Sequence, residues 1–330
     1  MMTVSALTTG VSSVPVIDLA QAELDASQLP PLDLACRDHG FFLLKQHGMD
    51  AEIEAMWKAS EQFFSQPREI KRQILRTESV PLGYYDRELT KQKRDLKEVF
   101  DFMSPRPDAR DLNQWPAGDE AFKAAQLNFF NAASAVAKRT LALVYRALAQ
   151  GLDLDPALAS LPMGEPRTSN ARLNCYPMSD PLSDSEAGEV RALGDMALHH
   201  HTDPGILTLL LQDMTGGLQT LTRDEGWLDV MPEAGTIVVN LGDAMQVWTN
   251  DVYRAAVHRV VPMTQNTRYS TPYFFNPAND AMLAPLAGLT AEPDRFEAFT
   301  WREYIKGRID DNYTDLGEDD IQIDRFRITA

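Results

Sequence analysis

Cysteine is nearly missing from this chain: Cys36 and Cys175 are the only two in 330 residues. So few, so far apart, exclude the disulfide framework of a small secreted domain and leave a reducing, cytoplasmic setting as the expectation. Long apolar runs are missing too. No stretch reaches the length of a membrane span, and the first residues lack the basic-then-apolar order of a secretory signal. Positive charge is scarce, with 31 Lys and Arg against 48 Asp and Glu and a net charge of -17. That balance argues against nucleic acid or an anionic membrane as partner. The one basic cluster, around Lys91, Arg94 and Lys97, is interleaved with acids and reads as a solvated helix face. Glycine forms neither a dinucleotide fingerprint nor a Walker loop. Histidine occurs six times, so the place of each is informative.

What is present is enough chain for one large domain or two closely fused ones. Residues 14–19 read as a short strand, 32–38 as a helix closed by Gly40, and 41–44 as a compact apolar strand. A helix over 50–64 is expected, with the Asp50 carboxylate as its cap, followed by a strand at 98–102. The longest helical signal runs from 119 to 150 and stops at Gly151. After about residue 165 the character changes. Short apolar runs recur at 171–176, 197–201, 206–212, 218–221, 227–230, 236–241, 254–261 and 269–275, separated by turn residues such as Gly216-Gly217. Many short strands so spaced indicate a sandwich or jelly roll, not an α/β layer fold. A last helix is predicted over 293–308. The expected organisation is an N-terminal helical and strand region (1–130) packed on the barrel, a scaffold helix and linker (131–165), a jelly-roll core (166–280), and a C-terminal helix and tail (281–330).

His201 and Asp203 are one residue apart, so on a strand both side chains share a face. His258 lies on a later apolar run, where antiparallel pairing can bring it opposite the first pair. Two imidazoles and one carboxylate are the donor set of a non-haem Fe(II) site that leaves open positions for chemistry. A single histidine is more often a core or surface residue; the ordered set is what points to iron. By the same alternation His199 shares the face of His201, as a pocket residue or in a plain structural role, and His200 faces away. His39 and His47 have no carboxylate to join.

Ten residues beyond His258 come Arg268 and Ser270, again sharing a strand face. A buried guanidinium needs a partner, and its planar fork matches a carboxylate through two hydrogen bonds. Ser270 and Tyr176 can add hydroxyl donors, which would make a cradle for the distal carboxylate of a 2-oxo diacid. The competing reading is an internal Arg–Asp or Arg–Glu pair.

Taken in order, the motifs resemble the Fe(II)/2-oxoglutarate-dependent dioxygenases of the isopenicillin-N-synthase-like group. The likeness starts at Pro15-Val16-Ile17-Asp18-Leu19 and His39-Gly40-Phe41-Phe42. It continues through Asn174-Cys175-Tyr176-Pro177, His201-Thr202-Asp203-Pro204-Gly205 and Leu209-Leu210-Leu211-Gln212-Asp213. It ends with Asn240-Leu241-Gly242-Asp243, His258-Arg259-Val260 and Arg268-Tyr269-Ser270. The resemblance implies a mainly β fold with flanking helices, a double-stranded β-helix or jelly-roll barrel. It implies that His201, Asp203 and His258 bind iron, that Arg268 and Ser270 hold the C5 carboxylate of 2-oxoglutarate, and that Asn174 and Tyr176 belong to the cosubstrate site. Relatives often have Thr-Asn-Gly where this chain has Thr249-Asn250-Asp251, so a slightly different turn is expected there.

The implied cofactors are Fe(II), 2-oxoglutarate and O2, with ascorbate a candidate reductant. The implied reaction couples release of succinate and CO2 to hydroxylation, desaturation, cyclisation or ring expansion of a small secondary metabolite. Asp203 argues against halogenation, which needs an open metal position where this carboxylate sits. Tyr85, Phe100, Phe102, Phe274 and Phe275 fall in segments that in relatives approach the barrel mouth, and would give an apolar wall for a compact substrate with few charges. The partner expected is a small molecule, with the chain a monomer or weak homo-oligomer. The rival readings are an isopenicillin-N-synthase-like oxidase that consumes no 2-oxoglutarate, and a non-catalytic jelly-roll binding protein.

Overall fold

The computed structural model describes residues 14–329 apart from 78, 91–92, 106–109, 155–160, 223–225 and 314–321, so Lys91 lies outside the described residues. In chain order its main strands are β1 (Val16–Asp18), β2 (Phe41–Lys45), β3 (Gly83–Tyr85), β4 (Leu89–Thr90), β5 (Lys93–Arg94), β6 (Glu98–Met103) and β7 (Asn170–Tyr176). They continue with β8 (Leu198–His201), β9 (Leu207–Gln212), β10 (Leu218–Thr222), β11 (Gly226–Asp229), β12 (Thr236–Leu241), β13 (His258–Val260) and β14 (Arg268–Phe275). Eight build one sheet in the order β1-β2-β12-β9-β14-β7-β6-β3, and four build a second, β11-β10-β13-β8. Neighbours run antiparallel, except that β1 and β2 are parallel. The two sheets face each other as a double-stranded β-helix, mainly β with flanking helices.

Alternation along the strands divides the large sheet into two faces. Leu173, Leu209, Leu211, Val239, Tyr273 and Phe275 point to the helices Leu29–Asp38, Asp50–Phe64 and Glu120–Gly151, and with them form the main core. Each such buried side chain contributes about 1.5–3 kcal/mol. The opposite face meets the small sheet through Phe41, Leu43, Leu210 and Val238 against Leu218 and Val260, and beyond this smaller cluster it opens into a cavity. Among the described residues no helix is long and apolar enough to cross a membrane.

Several boundaries differ from the sequence reading. The N-terminal region does not merely pack on the barrel: β1, β2, β3 and β6 are hydrogen-bonded members of the large sheet. The helix Glu120–Gly151 runs unbroken through residue 130, where a boundary was expected. The helix read as 32–38 starts at Leu29, since Pro30 and Pro31 occupy its first turn, where a missing N–H costs nothing. Asp50 is the first residue of its helix; the cap position belongs to Met49, and no side chain caps it. The final helix begins at Trp301, because Phe299–Thr300 just before it pairs as a strand with Met282–Leu283. At Thr249-Asn250-Asp251 the turn survives without glycine. Asn250 and Asp251 both take left-handed backbone, with φ of 52° and 68°. The Asp251 carboxylate is anchored by Arg327 Nη1 at 2.7 Å and Gln246 Nε2 at 2.8 Å, which offsets the strain.

Candidate active site

β8 and β13 pair antiparallel with His258 directly opposite His201, and the two ring centroids are 4.3 Å apart. Asp203 lies just past the end of β8. Its Oδ2 accepts hydrogen bonds from Thr208 Oγ1 at 2.5 Å and Asn240 Nδ2 at 2.8 Å. Oδ1 is thereby turned to the imidazoles, 3.7 Å from His201 Nε2 and 3.8 Å from His258 Nε2. All three ligand atoms lie within 4.8 Å of one another, and no second cluster of this kind occurs among the described residues.

The tautomers follow from the other ring nitrogens. His201 Nδ1–H donates to the His199 carbonyl at 2.8 Å, and His258 Nδ1–H donates to the Ala256 carbonyl at 3.0 Å. Both Nε2 lone pairs are left facing Asp203, the second-sphere device that prepares imidazoles for a metal. Burial, and then the neighbouring His258, push the His201 pKa well down, so that ring stays neutral and able to ligate. Burial would raise the Asp203 pKa, but the two imidazoles with Asn240 and Thr208 outweigh it and keep the carboxylate ionised. Two imidazole nitrogens and one anionic oxygen fit a ferrous ion with vacant positions.

The same cavity, about 440 Å³, also reaches Arg268. This guanidinium is fully buried, with Nε donating to the Gly216 carbonyl at 2.7 Å and Nη2 to Gln212 Oε1 at 3.4 Å. No carboxylate pairs with it among the described residues, and Nη1 has no hydrogen-bond partner. The internal ion pair weighed from sequence is therefore not what Arg268 makes. Burial lowers its pKa against Tyr176 and Asp213, which raise it. Tyr176 lies under the guanidinium at 5.0 Å, Ser270 pairs in register with Asn174, and Asn174 Nδ2 donates to Ser270 Oγ at 3.3 Å. Asn174 Oδ1 is buried without a partner. A carboxylate-bearing cosubstrate would satisfy the guanidinium, and the residues present fit one.

The aromatic wall expected around the substrate is largely elsewhere. Phe100 and Phe102 point to the helix side of β6, where Phe100 packs on Phe63 at 5.3 Å and Phe102 on Phe130 at 6.2 Å. Phe275 is in the same core, while Phe274, of opposite parity on β14, does line the cavity. Tyr85 lies off the cavity, its ring 4.3 Å from the Arg76 guanidinium. His199 fails for a different reason. Two residues of β13 span three of β8, so a β-bulge between Leu198 and His201 breaks the alternation. Leu198 joins His201 on the cavity, and the His199 ring is held by Asp95 at 3.1 Å and Asp195 at 3.3 Å.

Where aromatics were expected, charges stand. Arg172 grips Asp101 through Nε at 2.7 Å and Nη2 at 3.0 Å, and reaches Glu88 through Nη1 at 2.8 Å. Arg76 joins the same two acids at 2.7 and 2.8 Å, and Lys97 joins Glu88 at 2.8 Å. Lys97 is thus buried on the cavity wall rather than on a solvated helix face. Arg94 is buried as well, paired with Asp180. Two signals in the sequence could have shown this wall: Asp101 alternates with Phe100 and Phe102, and Arg172 shares parity with Asn174 and Tyr176.

Comparison with known proteins agrees with this geometry. A profile of the 2OG-Fe(II) oxygenase superfamily matches residues 168–277, and one described as non-haem dioxygenase in morphine synthesis N-terminal matches residues 14–118. Gibberellin 2-beta-dioxygenase 4 of Arabidopsis thaliana is 30% identical over 321 residues, covering 92% of this chain and 94% of that protein. Flavone synthase of Petroselinum crispum is 31% identical over 307 residues, covering 89% and 80%. A full-length Neurospora crassa protein, solved in complex with alpha-KG, aligns with a TM-score of 0.75 at 26% identity, covering 94% of this chain and all of that one. The chain belongs to the 2OG-Fe(II) oxygenase superfamily and is a non-haem iron dioxygenase dependent on 2-oxoglutarate.

Proposed function

We propose that His201, Asp203 and His258 hold the ferrous ion, that Arg268 with Ser270, Tyr176 and Asn174 receives 2-oxoglutarate, and that a small organic metabolite is hydroxylated in the remaining cavity. The observation that carries this reading is the meeting, in one cavity, of a His-Asp-His cluster and a buried guanidinium that, among the described residues, has no carboxylate of its own. Desaturation, cyclisation or ring expansion would need the same residues.

Bound together, iron, 2-oxoglutarate and O2 supply the oxidising power, with succinate and CO2 released. The side chains bind, orient and exclude. His201 and His258 offer Nε2 because Nδ1–H is spent on the backbone, so neither ring can turn away. Asp203 contributes the one anionic donor, its second oxygen pinned by Thr208 and Asn240. Arg268 sets the direction of the cosubstrate through a charge-assisted pair in a buried, low-dielectric setting. Leu198, Leu210, Leu218 and Val260 line the same cavity and keep bulk water from the triad. Relatives named for gibberellin and flavone support a small organic substrate, but the charged wall argues against the nearly uncharged compound that an aromatic mouth would favour.

Succinate release by the Fe(II)-loaded protein, with 2-oxoglutarate and O2 present, tests the reading. Succinate formed in step with O2 uptake is the expected result; O2 uptake without succinate would favour the oxidase alternative.

A further inference from the structure

The last helix (Trp301–Tyr313) is remote in sequence from the His-Asp-His cluster, yet it forms part of the same cavity wall. Trp301, Ile305 and Arg308 follow one another at helical spacing on one face and line the cavity. Phe326 fixes the helix from elsewhere in the tail, stacked on Phe299 at 3.8 Å and edge-on to Tyr304 at 6.2 Å. A helix that served only as cover would need nothing but apolar side chains against the barrel. This one also sends two polar side chains to the segments that hold the metal ligands.

Thr202 stands between His201 and Asp203, just past the end of β8, where the strand ladder no longer supplies a donor for its carbonyl. Arg308 supplies one, with Nη2 donating to that carbonyl at 2.7 Å. The next carbonyl, of Asp203 itself, accepts from the Asp243 backbone N–H at 2.8 Å. Asp243 is buried, and the Tyr304 hydroxyl donates to its Oδ2 at 2.6 Å. Burial pushes the Asp243 pKa up, and the Arg308 charge opposes that push, so the two residues of the helix meet the same carboxyl. The approach is close: a Cβ on Gly242 would lie 2.7 Å from the Asp203 carbonyl oxygen. Thr208 and Asn240 hold the far oxygen of the Asp203 side chain, but where that side chain starts from is set by its backbone.

We propose that Arg308 and Tyr304 are positioning residues of the metal site: from the last helix they fix the two carbonyls that flank the Asp203 Cα, and so hold Oδ1 against the two imidazoles. This inference rests on the catalytic reading above. A metal site tolerates only a few tenths of an ångström of play in its ligands, so the support behind them counts as well as the ligands themselves. The competing role is purely structural, in which the two side chains do no more than secure the helix to the barrel.

The test is anaerobic titration with Co(II), followed in its visible d–d bands, at a temperature where every variant is folded. Arg308→Leu should weaken Co(II) binding about tenfold and alter the bands, and Arg308→Lys should recover part of both. The direction separates position from charge, because removing a cation near the metal would by itself strengthen binding. Tyr304→Phe, which removes one hydroxyl and no charge, should shift affinity and bands the same way by less, and it decides the matter should Arg308→Leu fail to fold. Phe102→Ala serves as the destabilised control, lowering the melting temperature with wild-type affinity and bands. Wild-type affinity and bands in both Arg308→Leu and Tyr304→Phe, or an equal loss in Phe102→Ala, overturns the proposal. A wild-type protein that binds no Co(II), or an Asp203→Ala variant that binds it equally well, overturns the catalytic reading and this inference with it.

Discussion

The two faces of the large sheet are made by the same strands and carry opposite chemistry. On β6, Phe100 and Phe102 enter the helix-side core while Asp101 between them faces the cavity. On β7, Leu173 and Cys175 are core, and Arg172, Asn174 and Tyr176 are cavity. On β14, Tyr273 and Phe275 are core, and Arg268, Ser270 and Phe274 are cavity. One face gains stability by excluding water. The other spends some of it, holding charged and unsatisfied groups in place so that they can receive metal, cosubstrate and substrate. A substitution on the first face should therefore change melting and leave ligand affinity alone, and on the second the reverse should dominate.

Asp203→Ala gives the sharpest break on the cavity side. Turnover should vanish and Fe(II) affinity should fall more than about 100-fold, since an anionic ligand is lost outright; metal titration checks this. Phe102→Ala should cost about 3–5 kcal/mol of unfolding free energy through the space it leaves, with 2-oxoglutarate affinity unchanged. A large loss of affinity without a change in melting would put Phe102 back on the substrate.

Glu88→Gln tests the border between the two behaviours, because Glu88 is a cavity residue whose partners are structural. Three buried or half-buried cations lose their common acid, for a cost of about 3 kcal/mol in denaturant melts. Burial opposes ionisation of Glu88, but Arg172, Lys97 and Arg76 hold its pKa far below the ordinary 4.5. A lowered folded-state pKa gives stability that is complete above the ordinary value and fades as pH falls toward the folded one. Wild-type stability should thus drop on acidification below about pH 4.5, and the Gln variant should lose less across the same span.

Arg268→Ala should weaken 2-oxoglutarate binding by about 30-fold, or roughly 2 kcal/mol, with melting little changed; equal affinity would contradict the cradle. The smallest effect belongs to Asn240→Ala, which frees one oxygen of Asp203 and should weaken Fe(II) binding about tenfold.

The parts legible in the sequence were those that obey strand alternation. His201 with Asp203, Arg268 with Ser270, and Asn174 with Tyr176 each sit at i and i+2, and the structure brings all three pairs to one cavity. Where alternation is broken locally, reading failed: the β8 bulge turns His199 to Asp95, and nothing in Leu198-His199-His200-His201 announces an extra residue. Lys97 and Arg94 looked solvated because their partners Glu88 and Asp180 are known only once the chain is folded. Phe100 and Phe102 were misplaced for a more avoidable reason. The acid between them already implied that one face of that strand was polar, and the phenylalanines had to take the other. The start of the last helix was hidden by a two-residue strand too short to show a period.

The most direct test of the central claim is anaerobic addition of Fe(II) and then 2-oxoglutarate to the wild-type protein and to Asp203→Ala, followed by admission of O2 and quantification of succinate. The account predicts one bound Fe(II), 2-oxoglutarate binding that depends on it, and succinate from the wild type alone. Tight 2-oxoglutarate-independent O2 consumption, or equal succinate from both proteins, would contradict it.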